Sequence, residues 1–383
     1  MSLGTILYVG NFELPDKNAA AHRVVNNAKI FRELGFRVAL LGTVRDESFS
    51  GYRPCAAELA GATDLSFYER AYPASTADWI RQLYDVTDVR AVAEAYDDLK
   101  LIIAYNVPFA TFKALKKEFE KTGVRVAYDC TEWNGYAEGS LPKRLYKRHD
   151  EKQIRRKLGK ICHDMIVISS AMERAYARSS PNLLRLPPLV DVDDPIWRQE
   201  RAAEPGVFEF LFAGTVSNKE RLDRVVEAFC SSGISGARLR VVGLTGDEFA
   251  AVYPGSADAV SDERITFDGY ITHAETVKRV LSCSCFVFIR EPTSRNVAGF
   301  PTKFAEAFTC GVPIITTDVS DVAVYIDSPD KSIIITDVSV ESIRAALVRA
   351  AEAFRGQEPA LRGEFDHRNY IARTREWISK TLI

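Results

Sequence analysis

The 383-residue sequence lacks the features that mark several large classes of protein. No apolar run approaches the roughly 20 residues that a membrane-spanning helix needs. Lys and Arg (50) almost balance Asp and Glu (52), and a formal net charge of -2 removes any whole-molecule argument for nucleic-acid binding. The seven cysteines (Cys55, Cys130, Cys162, Cys230, Cys283, Cys285 and Cys310) are odd in number and form no C-x-x-C pair. Buried free thiols in a reducing compartment are therefore expected, rather than a disulfide framework. Cys283 and Cys285 lie in a strand-like run with alternating faces, so the two thiols are expected on one side. No His or acidic residue stands near them at ligand spacing, and no zinc site is expected. Only five histidines occur, in no recognisable cluster. The chain passes straight into the apolar run Thr5–Val9 without a basic n-region or cleavage site, so a cytoplasmic location without a secretory leader is expected. The first strand-to-helix loop, Asn11–Ala21, carries no G-x-G-x-x-G fingerprint, which disfavours an NAD enzyme.

What is present is a regular alternation of short β-branched runs and helix-length segments. The composition, 46% hydrophobic and 27% charged, is ordinary for a globular chain, and the length suggests two domains. Strands are expected at 5–9, 37–42, 101–104, 124–128, 165–169 and 183–187, with a helix near 20–34 ending at Gly35. The same grammar restarts after the polar stretch Asp193–Gly206. It gives strands at 208–213, 238–242, 265–267, 285–289 and 314–317, and helices at 221–229 and 273–282. This is an α/β class of βαβ units with parallel sheets. Two Rossmann-like domains are expected, 1–194 and 207–365, with a last helix in 366–383 packing back on the first. Ligands in such sheets bind outside the carboxyl ends of the strands, so two facing halves imply a cleft.

The densest signal is Ala298-Gly299-Phe300-Pro301-Thr302-Lys303-Phe304-Ala305-Glu306-Ala307, followed by Cys310-Gly311-Val312-Pro313 and the run Ile314–Thr317. It reads as a tight glycine loop, a short helix starting near Pro301, a glycine stop and a strand. Proline is tolerated in a first helical turn because its missing N–H has no intrahelical partner there. Backbone donors near Gly299, Phe300 and Thr302 at the positive end of that helix suit a diphosphate. Thr302 and Glu306, four apart, share a face, and a carboxylate one turn past a phosphate site suits sugar hydroxyls.

With Gly214…Lys219, Phe267-Asp268-Gly269-Tyr270 and the 298–313 segment in one order, the chain resembles retaining GT-B glycosyltransferases of family 4. The segment Gly299–Thr317 is similar to the family's Glu-x7-Glu region and its following strand. Tyr128–Trp133 and Arg185–Asp191 are similar to a subgroup associated with bacterial surface polysaccharides. One departure stands out: the position of the first glutamate is Ala298, while the second is present as Glu306. Glu291, seven residues before Ala298, is a candidate substitute carboxylate. The resemblance implies that Glu306 binds the nucleotide ribose, and that amides near Gly299, Phe300 and Pro301 approach the donor sugar and diphosphate. It further implies that Lys219 and Arg221 neutralise the diphosphate, with the loop Gly269-Tyr270-Ile271 beside the base and Gly214 in the donor loop. Lys303, a cation after a glycine loop at a helix start, joins the catalytic candidates; each of these cations also reads as part of a solvated first turn.

Acceptor candidates are the small-residue loop at Asn18 and Ala19, and Asp129, Glu132 and Trp133 after a strand end. A structural Asx-turn with a packed tryptophan is the alternative for the latter. His22 and Arg23 face either the cleft or a partner. The block 143–160 is basic with an apolar side (Leu141, Leu145, Tyr146, Ile154, Leu158). It reads as a solvated helix or as a peripheral contact with the inner face of a membrane.

The expected activity is retaining transfer of a sugar from a UDP- or GDP-linked donor to a glycan or lipid-linked hydroxyl acceptor, in surface polysaccharide biosynthesis. Neither metal nor cofactor is expected. The alternatives are a non-catalytic sugar-nucleotide-binding scaffold, which Ala298 keeps open, and a sugar-nucleotide epimerase on the same fold.

Overall fold

Two parallel sheets organise the computed structural model of the chain, which describes residues 2–15, 17–46, 48–55, 65–133, 141–214, 220–326, 328 and 331–382. The inner strands of both sheets are short, largely apolar runs, such as β1 and β12, buried on each face. Parallel sheets need this pattern because their crossover helices cover them front and back.

The first unit comprises Met1–Val190 and Asp366–Ile383. Its strands are β1 (Thr5–Gly10), β2 (Arg37–Val44), β3 (Tyr52–Pro54), β4 (Leu65–Ala71), β5 (Leu99–Tyr105), β6 (Arg125–Cys130), β7 (Asp164–Val167) and β8 (Asn182–Arg185). They lie in the order β3-β4-β2-β1-β5-β6-β7-β8, parallel except for the edge strand β3. Asn18 starts the helix Ala19–Glu33 by accepting the Ala21 N–H at 2.9 Å. Gly35, at φ +93°, follows its end in a conformation that side chains resist. The C-terminal helix Ile371–Thr381 packs on the same unit. Trp377 stands 6.4 Å from Phe31, and its indole N–H donates to the Asn182 carbonyl at 3.2 Å.

The second unit is Asp191–Phe365. Its strands are β9 (Phe208–Ala213), β10 (Ala237–Val242), β11 (Ile265–Phe267), β12 (Cys285–Phe288), β13 (Ile314–Thr317) and β14 (Ser332–Ile335). The order β11-β10-β9-β12-β13-β14 is parallel throughout. Strand order therefore reverses between β9 and β12, the place where open α/β sheets leave a crevice for ligands.

Two expectations need correction. The chain crosses between units at Val190 and Asp191 rather than at 195–206. Trp197 is buried, and Gln199 and Arg201 donate to the Ala274 and Leu281 carbonyls, so this polar stretch is fastened to the second unit. Cys283 does not share a strand with Cys285: its N–H and thiol bond to the Arg279 and Val280 carbonyls at the end of the helix His273–Ser282. The strands β3, β4 and β14 were not expected from sequence. β4 alternates buried and half-buried residues near a sheet edge, and β14 is only four residues long.

Candidate functional site

Gly214 directly follows β9, and Arg290 and Glu291 follow β12, so both flank the reversal of strand order. Lys219 lies outside the described residues. Just beyond, Glu220 and Arg290 form a short antiparallel bridge. Two dipeptides, Glu220-Arg221 and Arg290-Glu291, each of one acid and one base, thereby pair crosswise. Arg290 bonds Glu220, which is buried, and Arg221 bonds Glu291 at 2.5 Å. Arg221 also grips Asp223 through two nitrogens, at 2.8 and 3.1 Å. Hydrogen bonding to Asp223, then to Glu291, raises the Arg221 pKa.

These contacts partner the Arg221 and Glu291 side chains with each other. Arg221 precedes the helix Leu222–Cys230, but Asp223 in the first turn already compensates its charge and suits the helix dipole. Neither a diphosphate-neutralising Arg221 nor a substitute carboxylate from Glu291 follows from this geometry. Both side chains instead fix the loop leaving β12. Asn296 fastens it further by donating to the Glu291 carbonyl at 2.8 Å.

Gly299 also differs from expectation. A short helix, Ser294–Ala298, precedes it, and its N–H donates to the Arg295 carbonyl at 3.0 Å. Its φ of -73° and ψ of 175° are extended backbone open to any residue, not a tight glycine turn. The Gly299 N–H is therefore committed to a helix end. Phe300 and Pro301 are buried, and Pro301 caps the helix Thr302–Thr309. The Phe304 and Ala305 N–H groups both reach the Pro301 carbonyl, at 3.1 and 3.3 Å. The first N–H groups of a helix have no acceptor inside it, and here they begin at Thr302.

Lys303 lies in this first turn. A Cβ placed on Gly214 would lie only 2.9 Å from the Lys303 Nζ, so the ammonium rests against the backbone at the end of β9. One turn further, Glu306 Oε1 lies 3.2 Å from His273 Nε2, with the two side chains 16% and 23% exposed. His273 was not singled out from sequence. The available signal was Thr272-x-x-Glu275, a capping box whose hydrogen bonds place His273 in the first helical turn. Ala298, at the position of the first glutamate, is fully buried.

The helix carrying Lys303 and Glu306 is seated on rings. Phe304 stacks on Phe308 at 5.7 Å, and Phe300, Tyr325 and Phe365 pack edge-on or tilted around them. Gly311 ends the segment at φ +72°, where a Cβ would lie 1.9 Å from the Ala360 carbonyl oxygen. Glycine alone fits there. On the other side of the sheet reversal, Gly269 turns at φ +67° and its carbonyl accepts from Gly243 at 2.8 Å. Tyr270 is 80% exposed and Ile271 half-buried.

In the first unit, Asn18 uses its side-chain oxygen as the helix cap, and Ala19 is exposed beside it. Asp129 contradicts an acceptor role. It is fully buried in β6, receiving Tyr8 Oη at 2.5 Å and Arg23 at 2.8 Å. Burial and then the Asp129 charge push the Tyr8 pKa up; burial would lower that of Arg23, but Asp129 outweighs it. Arg23 also donates to the Leu186 and Pro187 carbonyls, so this cluster anchors the segment after β8. The Arg155 guanidinium lies 4.4 Å over the Trp133 ring, whose N–H donates to Tyr176. That indole face is occupied by protein. Glu132, beside it, is half-buried. Among the described residues no three metal-ligating groups cluster.

Residues 193–353 match the family model described as glycosyl transferases group 1. No curated protein sequence matches the chain. Among solved structures, it is similar to the sucrose-phosphate synthase of Thermosynechococcus elongatus, at 15% identity over 98% of both chains with a TM-score of 0.72. It is also similar to the catalytic domain of starch synthase IV from Arabidopsis thaliana bound to ADP and acarbose, at 10% identity over 100% of both chains with a TM-score of 0.70. A third, Anabaena HepE in complex with UDP and glucose, gives 14% identity, 98% and 99% coverage and a TM-score of 0.64. Likeness at these identities shows the fold: an α/β chain with two parallel-sheet domains, matching GT-B glycosyltransferase structures.

Proposed function

We propose that this chain is a retaining glycosyltransferase that takes a sugar from a nucleoside-diphosphate donor and passes it to a hydroxyl of a glycan or lipid-linked saccharide. The observation that carries the reading is a coincidence of place. The family match spans 193–353, and inside it Lys303, Glu306 and His273 gather where strand order reverses. Structures bound to UDP or ADP among the similar proteins support a nucleoside diphosphate as the ligand class.

In this reading Glu306 accepts hydrogen bonds from the ribose hydroxyls, oriented by His273. Lys303 and the first N–H groups of the helix Thr302–Thr309 receive the diphosphate, and charge on its leaving oxygen grows as the reaction proceeds. Donors fixed beforehand around that charge lower the barrier. The bond from the anomeric carbon to the phosphate oxygen breaks, and a bond to the acceptor oxygen forms on the same face. The acceptor proton moves to the departing phosphate oxygen, so no protein base is required. Lys303 and, following the resemblance, Lys219 supply positive charge to the diphosphate, and a role in surface polysaccharide synthesis follows the resemblance of the 128–133 and 185–191 segments.

Ala298 and the mutual neutralisation of Arg221 and Glu291 favour one second reading, a sugar-nucleotide binder without turnover. Calorimetric titration with UDP and GDP tests the ligand class. Hydrogen bonds to a charged group contribute about 1.5–3 kcal/mol, so Glu306→Ala is expected to weaken binding by about 10- to 150-fold. Equal affinity of the variant contradicts the assignment.

A further inference from the structure

The basic segment after residue 140 has two faces that the sequence merged. The helix Leu141–Gln153 continues as a π-helical turn, Ile154–Leu158. Tyr146, Asp150, Ile154 and Leu158 point inward: Tyr146 meets Trp79 edge-on at 4.9 Å, and Asp150 accepts the Phe109 N–H at 2.8 Å. Leu141, Arg144, Leu145, Arg148, Lys152 and Arg156 recur three and four apart and form the outward stripe. Leu141 and Leu145 on that stripe are 66% and 56% exposed. The Trp79 contact brings up a second helix, Thr76–Gln82, and with it the exposed Ile80 and Tyr84. The acids nearby are engaged elsewhere, Asp78 by Ser75 and Arg81, Glu151 by Arg155.

We propose that these two helices seat the protein on a bilayer surface containing anionic lipids. Leucines interleaved with arginines on one stripe suit the boundary between headgroups and acyl chains, where apolar side chains enter and cations stay at phosphate level. Nucleic acid would recruit the cations but leave the leucines in water. A protein interface would instead gather apolar residues at its centre and place charge at the rim. The formal net charge is only -2, so this patch, not the whole molecule, supplies the attraction. The proposal rests on the glycosyltransferase reading only for its purpose, since a lipid-linked acceptor would be met there.

The test is co-sedimentation of the full chain with vesicles of phosphatidylcholine containing about 30 mol% phosphatidylglycerol, an anionic lipid. Binding is expected, with loss on raising the salt to about 0.5 M. The Arg144→Gln, Arg148→Gln, Lys152→Gln, Arg156→Gln variant should partition at least about 100-fold less, because each cation near the surface contributes about fivefold. Leu141→Ser with Leu145→Ser should lower partitioning by at least about tenfold. Replacing the three arginines by lysine should preserve it. Equal binding to pure phosphatidylcholine, unchanged binding of either loss variant, or retention on nucleic acid alone overturns the proposal. Nucleotide affinity, measured without vesicles, should be unchanged in all variants, and its absence from the parent protein would sink the donor assignment without touching this one.

Discussion

Gly214→Ala changes one methyl group and separates two explanations of Lys303. The new Cβ would lie 2.9 Å from the Lys303 Nζ and 3.0 and 3.2 Å from two atoms of the Phe212 ring. Gly214 is not in the left-handed region, so alanine meets no backbone penalty. The ring yields by a few tenths of an ångström, a cost of about 1 kcal/mol. The ammonium, at the end of a flexible chain, moves instead. A charge-assisted hydrogen bond to a diphosphate is worth about 1.5–3 kcal/mol, and losing half of it weakens binding about threefold to twelvefold. Calorimetric titration with UDP or GDP reads that loss, and urea unfolding reads the stability cost. In a Lys303→Ala background the alanine should cost nothing further, because its effect acts through the lysine. An equal loss in both backgrounds, or none in either, refutes the placement of Lys303 against the diphosphate.

Three further outcomes follow from buried groups. Arg23→Met leaves Asp129 buried beside no cation; the pair is 4% and 0% exposed, and about 3–5 kcal/mol of the first unit's stability should be lost. A loss below about 1 kcal/mol in urea unfolding contradicts that accounting. Burial pushes the Asp150 carboxyl up to about 6, so its charged form opposes folding. That penalty is absent below the unfolded pKa near 4, grows as pH rises through 6, and is constant above. Asp150→Asn keeps an acceptor for the Phe109 N–H and should be about 1–2 kcal/mol more stable than the parent at pH 8, and equal to it at pH 4. A less stable variant at pH 8 refutes the sign. Among the cysteines, Cys55 and Cys230 are half-buried and the rest buried, with burial pushing Cys130 up to about 12. A thiol reagent on native protein should therefore label Cys55 and Cys230 ahead of the other five; uniform labelling contradicts the burial.

The alternation of strands and helices was legible because parallel strands are apolar on both faces and read as β-branched runs. The edge strand β3 and its neighbour β4 were not, since a half-exposed strand alternates like ordinary polar sequence. The helix Thr302–Thr309 was legible from Pro301 and Gly311, two residues whose backbone chemistry is local. Gly299 misled because glycine permits a turn without requiring one, and here the preceding helix claims its N–H. Spacing likewise could not reveal that Arg221 answers Glu291 across 70 residues of sequence. Asp129 looked like a strand-end carboxylate, but the tyrosine and arginine that enclose it come from β1 and the helix behind it. His273 was hidden for a similar reason, since its partner Glu306 comes from another helix.

The proposed mechanism rests on activation of a sugar donor by the second unit. Incubating the protein with a panel of UDP- and GDP-sugars and following release of the nucleoside diphosphate tests it most directly. Release is expected from at least one donor, accelerated by acceptor saccharides and abolished in Lys303→Ala. Donor binding with no release from any sugar nucleotide, or undiminished release by the Lys303→Ala variant, would contradict it.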